Sequence, residues 1–113
     1  MILIEVIIQK YLQAHLDVPV HHMRPSNPPK KYVLFERTSG QKKNHLQTAT
    51  VAFQSYGSSF FEVLSLNESV KEAVEEMVAL DSVAGVALNS DYNFTDTETK
   101  EYRYQAVFDI NYY

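Results

Sequence analysis

The chain has 113 residues, of which 45% are hydrophobic and 21% are charged, a composition that indicates one globular domain over residues 1–113 and excludes a disordered chain or a separate substrate domain. Cysteine is absent, which excludes disulfides, thiolate nucleophiles and thiolate metal sites. Residues 1–57 contain seven Lys or Arg and three Asp or Glu, a net charge of +4, whereas residues 58–113 contain three Lys or Arg and eleven Asp or Glu, a net charge of −8. This division predicts two oppositely charged surfaces, of the kind that orient a head-to-tail self-association.

The first predicted element is a helix that ends near His15. The residues from Met1 to Ile8 are apolar except for Glu5. The polar residues Glu5, Gln9 and Gln13 recur every four positions, which places them on one solvent-facing side of a helix. This start lacks a basic leader and is too short to cross a bilayer, so we expect it to be core in a cytosolic protein that does not contact a membrane.

An irregular connection and two strands follow. All four prolines lie between Asp17 and Pro29, which predicts an extended segment without regular structure. The segments Lys31–Arg37 and Gln47–Tyr56 are rich in aromatic and β-branched residues and read as strands. Between them, Thr38–Leu46 is longer than a tight hairpin needs, which predicts a loop that either contacts a partner or lacks order.

A second helix is predicted from Ser59 to about Leu80. Ser59 with Glu62 three residues later matches a capping box. An apolar stripe follows at helical spacing, consisting of Val63, Leu66, Val70, Ala73, Val74 and Met77. Asn67 and Ser69 leave open a break near the middle of this helix.

The chain ends in two predicted strands, Val83–Asp91 and Tyr102–Tyr112. In the last one an aromatic-rich set of residues alternates with polar ones, which is the period of a strand with one buried face. The order of elements predicts an α+β fold, mainly an antiparallel four-stranded sheet with two helices packed on one face. The other face, in a chain with eight tyrosines, suits packing against another subunit.

Short motifs spread along nearly the whole chain resemble those of a known family. They are Val18-Pro19-Val20, Arg24-Pro25, Pro28-Pro29, the run from Tyr32 to Gly40, Gln54-Ser55-Tyr56, the run from Asp91 to Asp96 and the run from Tyr102 to Asp109. In this order and spacing they are similar to small tail-completion proteins of siphophages and prophages of Gram-positive hosts.

The resemblance implies a structural protein of the virion neck, assembled in the host cytoplasm. Such proteins resemble tail terminators, which form a hexameric ring on the finished tail tube, stop its growth and present a surface to the head connector. The implied partners are therefore further copies of the chain, the tail tube protein and the head connector protein. DNA passes through such a ring as cargo, so we expect a neutral or acidic pore lining. Another head–tail joining protein is the alternative within the same class.

A closed ring needs two different complementary surfaces on each subunit, and the charge division suggests where they lie. The predicted basic surface consists of Arg24, Lys30, Lys31, Arg37, Gly40, Lys42 and Lys43. The predicted acidic surface of the neighbour consists of Glu68, Glu72, Glu75 and Glu76 on the second helix. The alternative for these glutamates is an ordinary solvated helix face.

Nucleic-acid binding is the competing hypothesis. Six Lys or Arg lie between Arg24 and Lys43, with Tyr32 and Phe35 among them, a pattern that can follow a phosphate backbone and stack on bases. The overall net charge of −4 opposes it.

The sequence predicts no enzyme, cofactor or metal site. His21 and His22 are adjacent and point to opposite sides of an extended chain, so they cannot hold one ion together. A metal site would need them to converge with His15 and His45, and surface or loop histidines are the expected alternative. No nucleophile elbow, phosphate loop or dinucleotide fingerprint is present, and the three glycines are scattered.

Overall fold

The protein is an α+β domain with two helices and one five-stranded sheet. The structure, a computed structural model, describes residues 3–43, 46–99 and 101–113. In chain order the elements are α1 (Ile4–His15), β1 (Val20–His21), β2 (Tyr32–Lys43), β3 (Leu46–Gly57), α2 (Phe60–Glu76), a 3₁₀ turn (Met77–Ala79), β4 (Val83–Asn93) and β5 (Tyr102–Tyr112).

The sheet is mixed, with strand order β1-β2-β3-β5-β4. All neighbouring strands are antiparallel except β1 and β2, which pair in parallel with Val20 opposite Val33. The prediction of four antiparallel strands is therefore wrong by one short parallel strand, which lies inside the segment predicted to be irregular. β1 has two residues, too few to show a period in the sequence, and the carbonyl of Pro19 accepts a 3.0 Å hydrogen bond from the Val33 amide beside it.

The predicted loop over Thr38–Leu46 is also wrong, because strands occupy most of it. β2 continues to Lys43 and β3 begins at Leu46, with a bulge at Thr38 that shifts the pairing by one residue. The Thr38 hydroxyl donates to the carbonyl of Thr50 at 3.2 Å. The polar residues Thr38, Ser39 and Lys42 are exposed in β2, so burial does not oppose their place in a strand. Asn44 and His45 of the predicted loop lie outside the described residues.

Both helices begin and end close to where the sequence predicts. The Ser59 hydroxyl accepts the Glu62 amide at 3.2 Å, and the Glu62 carboxylate accepts the Ser58 amide at 3.1 Å, so the predicted cap is confirmed. A Cβ on Gly57 would lie 2.9 Å from the Glu62 carboxylate, so this close approach of strand and helix favours glycine. The helix α2 runs unbroken past Asn67 to Glu76.

Both helices pack on one face of the sheet, which we call the helix-covered face. Phe35, Phe53 and Phe108 from three neighbouring strands are fully buried there, with Ile8 of α1 and Val70 of α2 in the same cluster. Phe53 and Phe108 meet edge to face, with ring centroids 5.9 Å apart. Phe108 thus lies on the side of the last strand that the alternation predicts.

The opposite side of the sheet, the uncovered face, has polar side chains joined across strands. Pairs of directly opposed residues on β3 and β5 bond to each other: Thr48 to Asn111 at 2.7 Å, Thr50 to Asp109 at 2.7 Å and Gln54 to Gln105 at 2.9 Å. Neither helix lies over this ladder. Its residues Thr48, Thr50, Asp109 and Asn111 are half-buried and reach the surface of the monomer, whereas Gln105 is only 8% exposed.

Candidate functional site

The predicted basic residues do not form one continuous surface. Arg24 donates two hydrogen bonds to Glu101, at 3.1 and 2.6 Å, and its guanidinium lies 5.9 Å from the ring centre of Tyr56. This bidentate contact lowers the pKa of the Glu101 carboxyl below its usual value. Arg24 therefore fastens the proline-rich segment to the turn before β5, and its charge is largely engaged within the chain.

Arg37 and Lys42 form a second basic region that runs from the middle of the β2–β3 hairpin toward the end where β2 stops and β3 begins. Both line a depression of about 460 Å³ that Leu3 and Glu5 also line, and we call Leu3, Arg37 and Lys42 the hairpin patch. Arg37 lies 3.5 Å from the Glu5 carboxylate. Lys42 is exposed and makes no ion pair with any residue that the structure describes.

The other predicted basic-surface residues lie apart from the hairpin patch or add little to it. Lys30 and Lys31 are exposed just before β2, and Lys31 lines a smaller depression of about 150 Å³ together with Asp17. A Cβ on Gly40 would make ordinary contacts at 3.5 Å and beyond, so this position does not demand glycine. Lys43 ends β2, and its side chain lies outside the described part of the structure.

Of the four predicted glutamates, one is in an ion pair and three have no ionic partner among the residues that the structure describes. Glu68 lies 2.8 Å from the Lys71 ammonium, which also bonds to Asp91 at 2.6 Å. Glu72, Glu75 and Glu76 are exposed, and within the part of the chain that the structure describes none of them is in an ion pair.

These three glutamates line a groove of about 710 Å³ between α1 and the C-terminal end of α2, which we call the acidic groove. Its remaining lining residues are Tyr11, His15, Val78, Ala79 and Leu80.

The lining of the acidic groove includes apolar residues that the sequence analysis missed. Val78 is 52% exposed, which is high for an aliphatic side chain, and Leu80 is half-buried beside it. Tyr11 stacks on His15 with ring centroids 4.0 Å apart, and burial, with the charge of Glu76, raises the pKa of its hydroxyl. The sequence contains a signal for an exposed apolar residue here, because Val78 falls outside the apolar stripe of the second helix and therefore has no predicted place in the core.

The aromatic residues of the competing nucleic-acid-binding pattern are buried in the structure. Tyr32 is 2% exposed and Phe35 is 1% exposed, so neither ring offers a free face for stacking on a base. Tyr32 instead stacks on Tyr56 with centroids 4.5 Å apart.

Over residues 3–43, 46–99 and 101–113, no group of three or more His, Asp or Glu side chains is placed to hold a metal ion. His45, one of the four histidines considered above, lies outside these residues. No helix in the described part of the chain is both long and apolar enough to span a membrane. Comparison with protein-family models and with curated proteins finds no match for this chain.

Proposed function

We propose that this protein is a structural subunit that assembles with copies of itself into a ring, closes the end of a phage tail tube and joins the tail to the head. The observation that carries the proposal is that one small domain presents two separate surfaces of opposite charge, the hairpin patch and the acidic groove. A ring is a heterologous interface repeated by rotation, and it needs this kind of pair on each subunit. The sequence resemblance to tail-completion proteins supplies the biological setting.

Two further observations support this proposal over nucleic-acid binding. The aromatic residues of the basic stretch are buried, and Arg24 is engaged by Glu101. The uncovered face of the sheet carries the acids Asp109 and Glu36 and the cation Arg103, which lies 3.9 Å from the Glu101 carboxylate. Among the strand side chains that the structure describes, two negative charges and one positive charge give this face a net charge of −1, which fits the neutral or acidic character expected of a pore through which DNA passes without sticking.

The location follows from the same proposal. Such a subunit is assembled in the host cytoplasm and ends in the virion neck, between the tail tube protein and the head connector protein. Six copies are expected from the resemblance to tail terminators.

Light scattering and negative-stain electron microscopy of the purified protein test the proposal. We expect annular particles several times heavier than the 13.0 kDa chain, either alone or with tail tubes from the same genome, and weaker association at high salt. A chain that stays monomeric with and without tubes, and retards single-stranded DNA with a steep salt dependence, would instead establish the competing function.

A further inference from the structure

We propose that the acidic groove of one copy receives the hairpin patch of a second copy. This inference rests on the self-assembly proposed above and narrows the two broad charged surfaces to two small ones. It commits to a second copy of this chain as the occupant, because the same chain carries both members of a complementary pair.

The first argument is the electrostatic cost that the groove carries in the monomer. Glu72, Glu75 and Glu76 lie in the last five residues of α2, whose last turn holds no basic residue. The C-terminal end of a helix carries partial negative charge, so carboxylates there are unfavourable. Glu72 is also three and four residues from Glu75 and Glu76, spacings at which like charges repel. A cation bound in the groove would relieve all of these repulsions together.

The second argument is that the groove contains apolar surface suited to a contact. Val78, Leu80 and the ring of Tyr11 contribute this surface to the same groove as the glutamates. A volume of about 710 Å³ is large enough for several side chains of a partner. The groove therefore favours a partner that carries an apolar side chain next to a positive charge.

The third argument is that the hairpin patch has this composition. Leu3 is 56% exposed and lines the same depression as Lys42. Glu5, the nearby acid, is engaged by Arg37 at 3.5 Å, which leaves the Lys42 ammonium without an ionic partner among the described residues. The other cations fit less well, because Arg24 is held by Glu101 and the apolar residues that line the depression of Lys31 are buried or half-buried rather than exposed.

The two surfaces are built from different residues, so the contact is heterologous. It leaves one hairpin patch and one acidic groove free after each association, and it closes when the rotation between copies completes a ring. A contact that paired like with like would stop at a dimer.

Cysteine cross-linking tests the contact directly, since the chain contains no cysteine of its own. Protein carrying Lys42→Cys is mixed with protein carrying Val78→Cys under mild oxidation, and both positions are exposed in the monomer. We expect a covalent dimer of about 26 kDa in the mixture, well above the amount formed by either protein alone. The matched control mixes Lys30→Cys with Val78→Cys. A cross-linking yield no higher than that control overturns the inference.

Charge exchange provides a second, independent measurement. Glu75→Lys with Glu76→Lys, or Lys42→Glu with Lys43→Glu, should each weaken self-association by about tenfold or more, and the quadruple variant should restore it. The controls are Lys30→Glu with Lys31→Glu, and Glu36→Lys with Glu98→Lys, which change the net charge equally at exposed sites elsewhere. A folded quadruple variant that fails to recover overturns the inference.

These outcomes are distinct from those that bear on the proposed function. If the protein forms rings but both the cross-linking test and the charge-exchange test fail, the proposed function is supported and this contact is refuted. A specific cross-link without rings would support the contact and count against the ring.

Discussion

The two faces of the same sheet are stabilised in different ways. On the helix-covered face, Phe35, Phe53 and Phe108 are buried against both helices, and burial of this kind is roughly proportional to area and has little directional preference. On the uncovered face, residues directly opposite one another on β3 and β5 are joined by side-chain hydrogen bonds, as Thr50 is to Asp109. A slip of one residue would break every pair of that ladder at once.

The comparison indicates that the two faces of the sheet have different roles. Apolar burial on the helix-covered face supplies most of the free energy of folding. The polar ladder specifies the register of β3 and β5 and leaves the uncovered face polar. Such a face can belong to an assembled particle without making the free subunit aggregate. The predictions below test this division, beginning with the largest expected effect.

The largest effect is expected at the centre of the helix-covered face. Phe108→Ala should reduce the free energy of unfolding by about 3–5 kcal/mol, because it opens a cavity among fully buried rings. Chemical denaturation measures this change. The control is Val107→Ala, one residue along β5 on the uncovered face, which should cost about 1 kcal/mol. Equal costs at the two positions would contradict the assignment of the faces.

The next effect is expected where a charged pair joins α2 to β4 on the helix-covered side. Asp91 accepts hydrogen bonds from Asn67 at 2.8 Å and from Lys71 at 2.6 Å, and Asn67 is buried. Asp91→Ala leaves both donors without this acceptor and should cost about 2 kcal/mol in the free energy of unfolding. Glu68→Ala, which removes the exposed partner of the same lysine, should change it by less than about 0.5 kcal/mol. A larger loss from Glu68→Ala than from Asp91→Ala would show that the buried contact is not the important one.

The sequence predicts those parts of the fold whose signal lies in residues that are close together along the chain. The Ser59–Glu62 cap and the alternation through Tyr102–Tyr112 are local patterns, and both are confirmed. The strand β1 and the hairpin beyond Thr38 are not visible locally, because each is held by pairing with a neighbouring strand. A two-residue strand has no period, and exposed polar residues suit a paired hairpin and a loop equally well.

The candidate site shows the same limit. The sequence identifies the charged residues, but it does not show which of them are already engaged. Arg24 and Glu101 are 77 residues apart and meet only through the fold, and the pairing of Glu68 with Lys71 leaves the other three glutamates as the lining of the acidic groove. The structure thus reduces eleven candidate residues to a smaller set through contacts that composition cannot reveal.

A smaller, pH-dependent effect is expected from the salt bridge near the uncovered face. Arg24 lowers the pKa of Glu101 in the folded protein, so its stabilisation is present above the unfolded pKa of about 4.3 and is lost as the pH falls through the lower folded pKa. Arg24→Ala should therefore cost about 1 kcal/mol near neutral pH, a value kept small because the arginine side chain is 51% exposed. Its stability should converge with that of the wild type in acid. Urea titrations at several pH values measure the difference, with Lys30→Ala as the control. A gap independent of pH would assign the effect to packing on Tyr56 rather than to charge.

The smallest effect on folding is expected at the hairpin, where we expect the largest effect on assembly. Lys42→Glu with Lys43→Glu should change the free energy of unfolding by no more than about 0.5 kcal/mol, because Lys42 is exposed and unpaired among the described residues. Assembly onto tails should nevertheless fail, since the reversed charges would meet the glutamates of the acidic groove. Thermal unfolding and counts of tails that carry the protein measure the two properties side by side. Normal assembly by this variant would remove the hairpin from the mechanism, whereas a large loss of stability would mean that this end of the sheet serves folding, as the helix-covered face does.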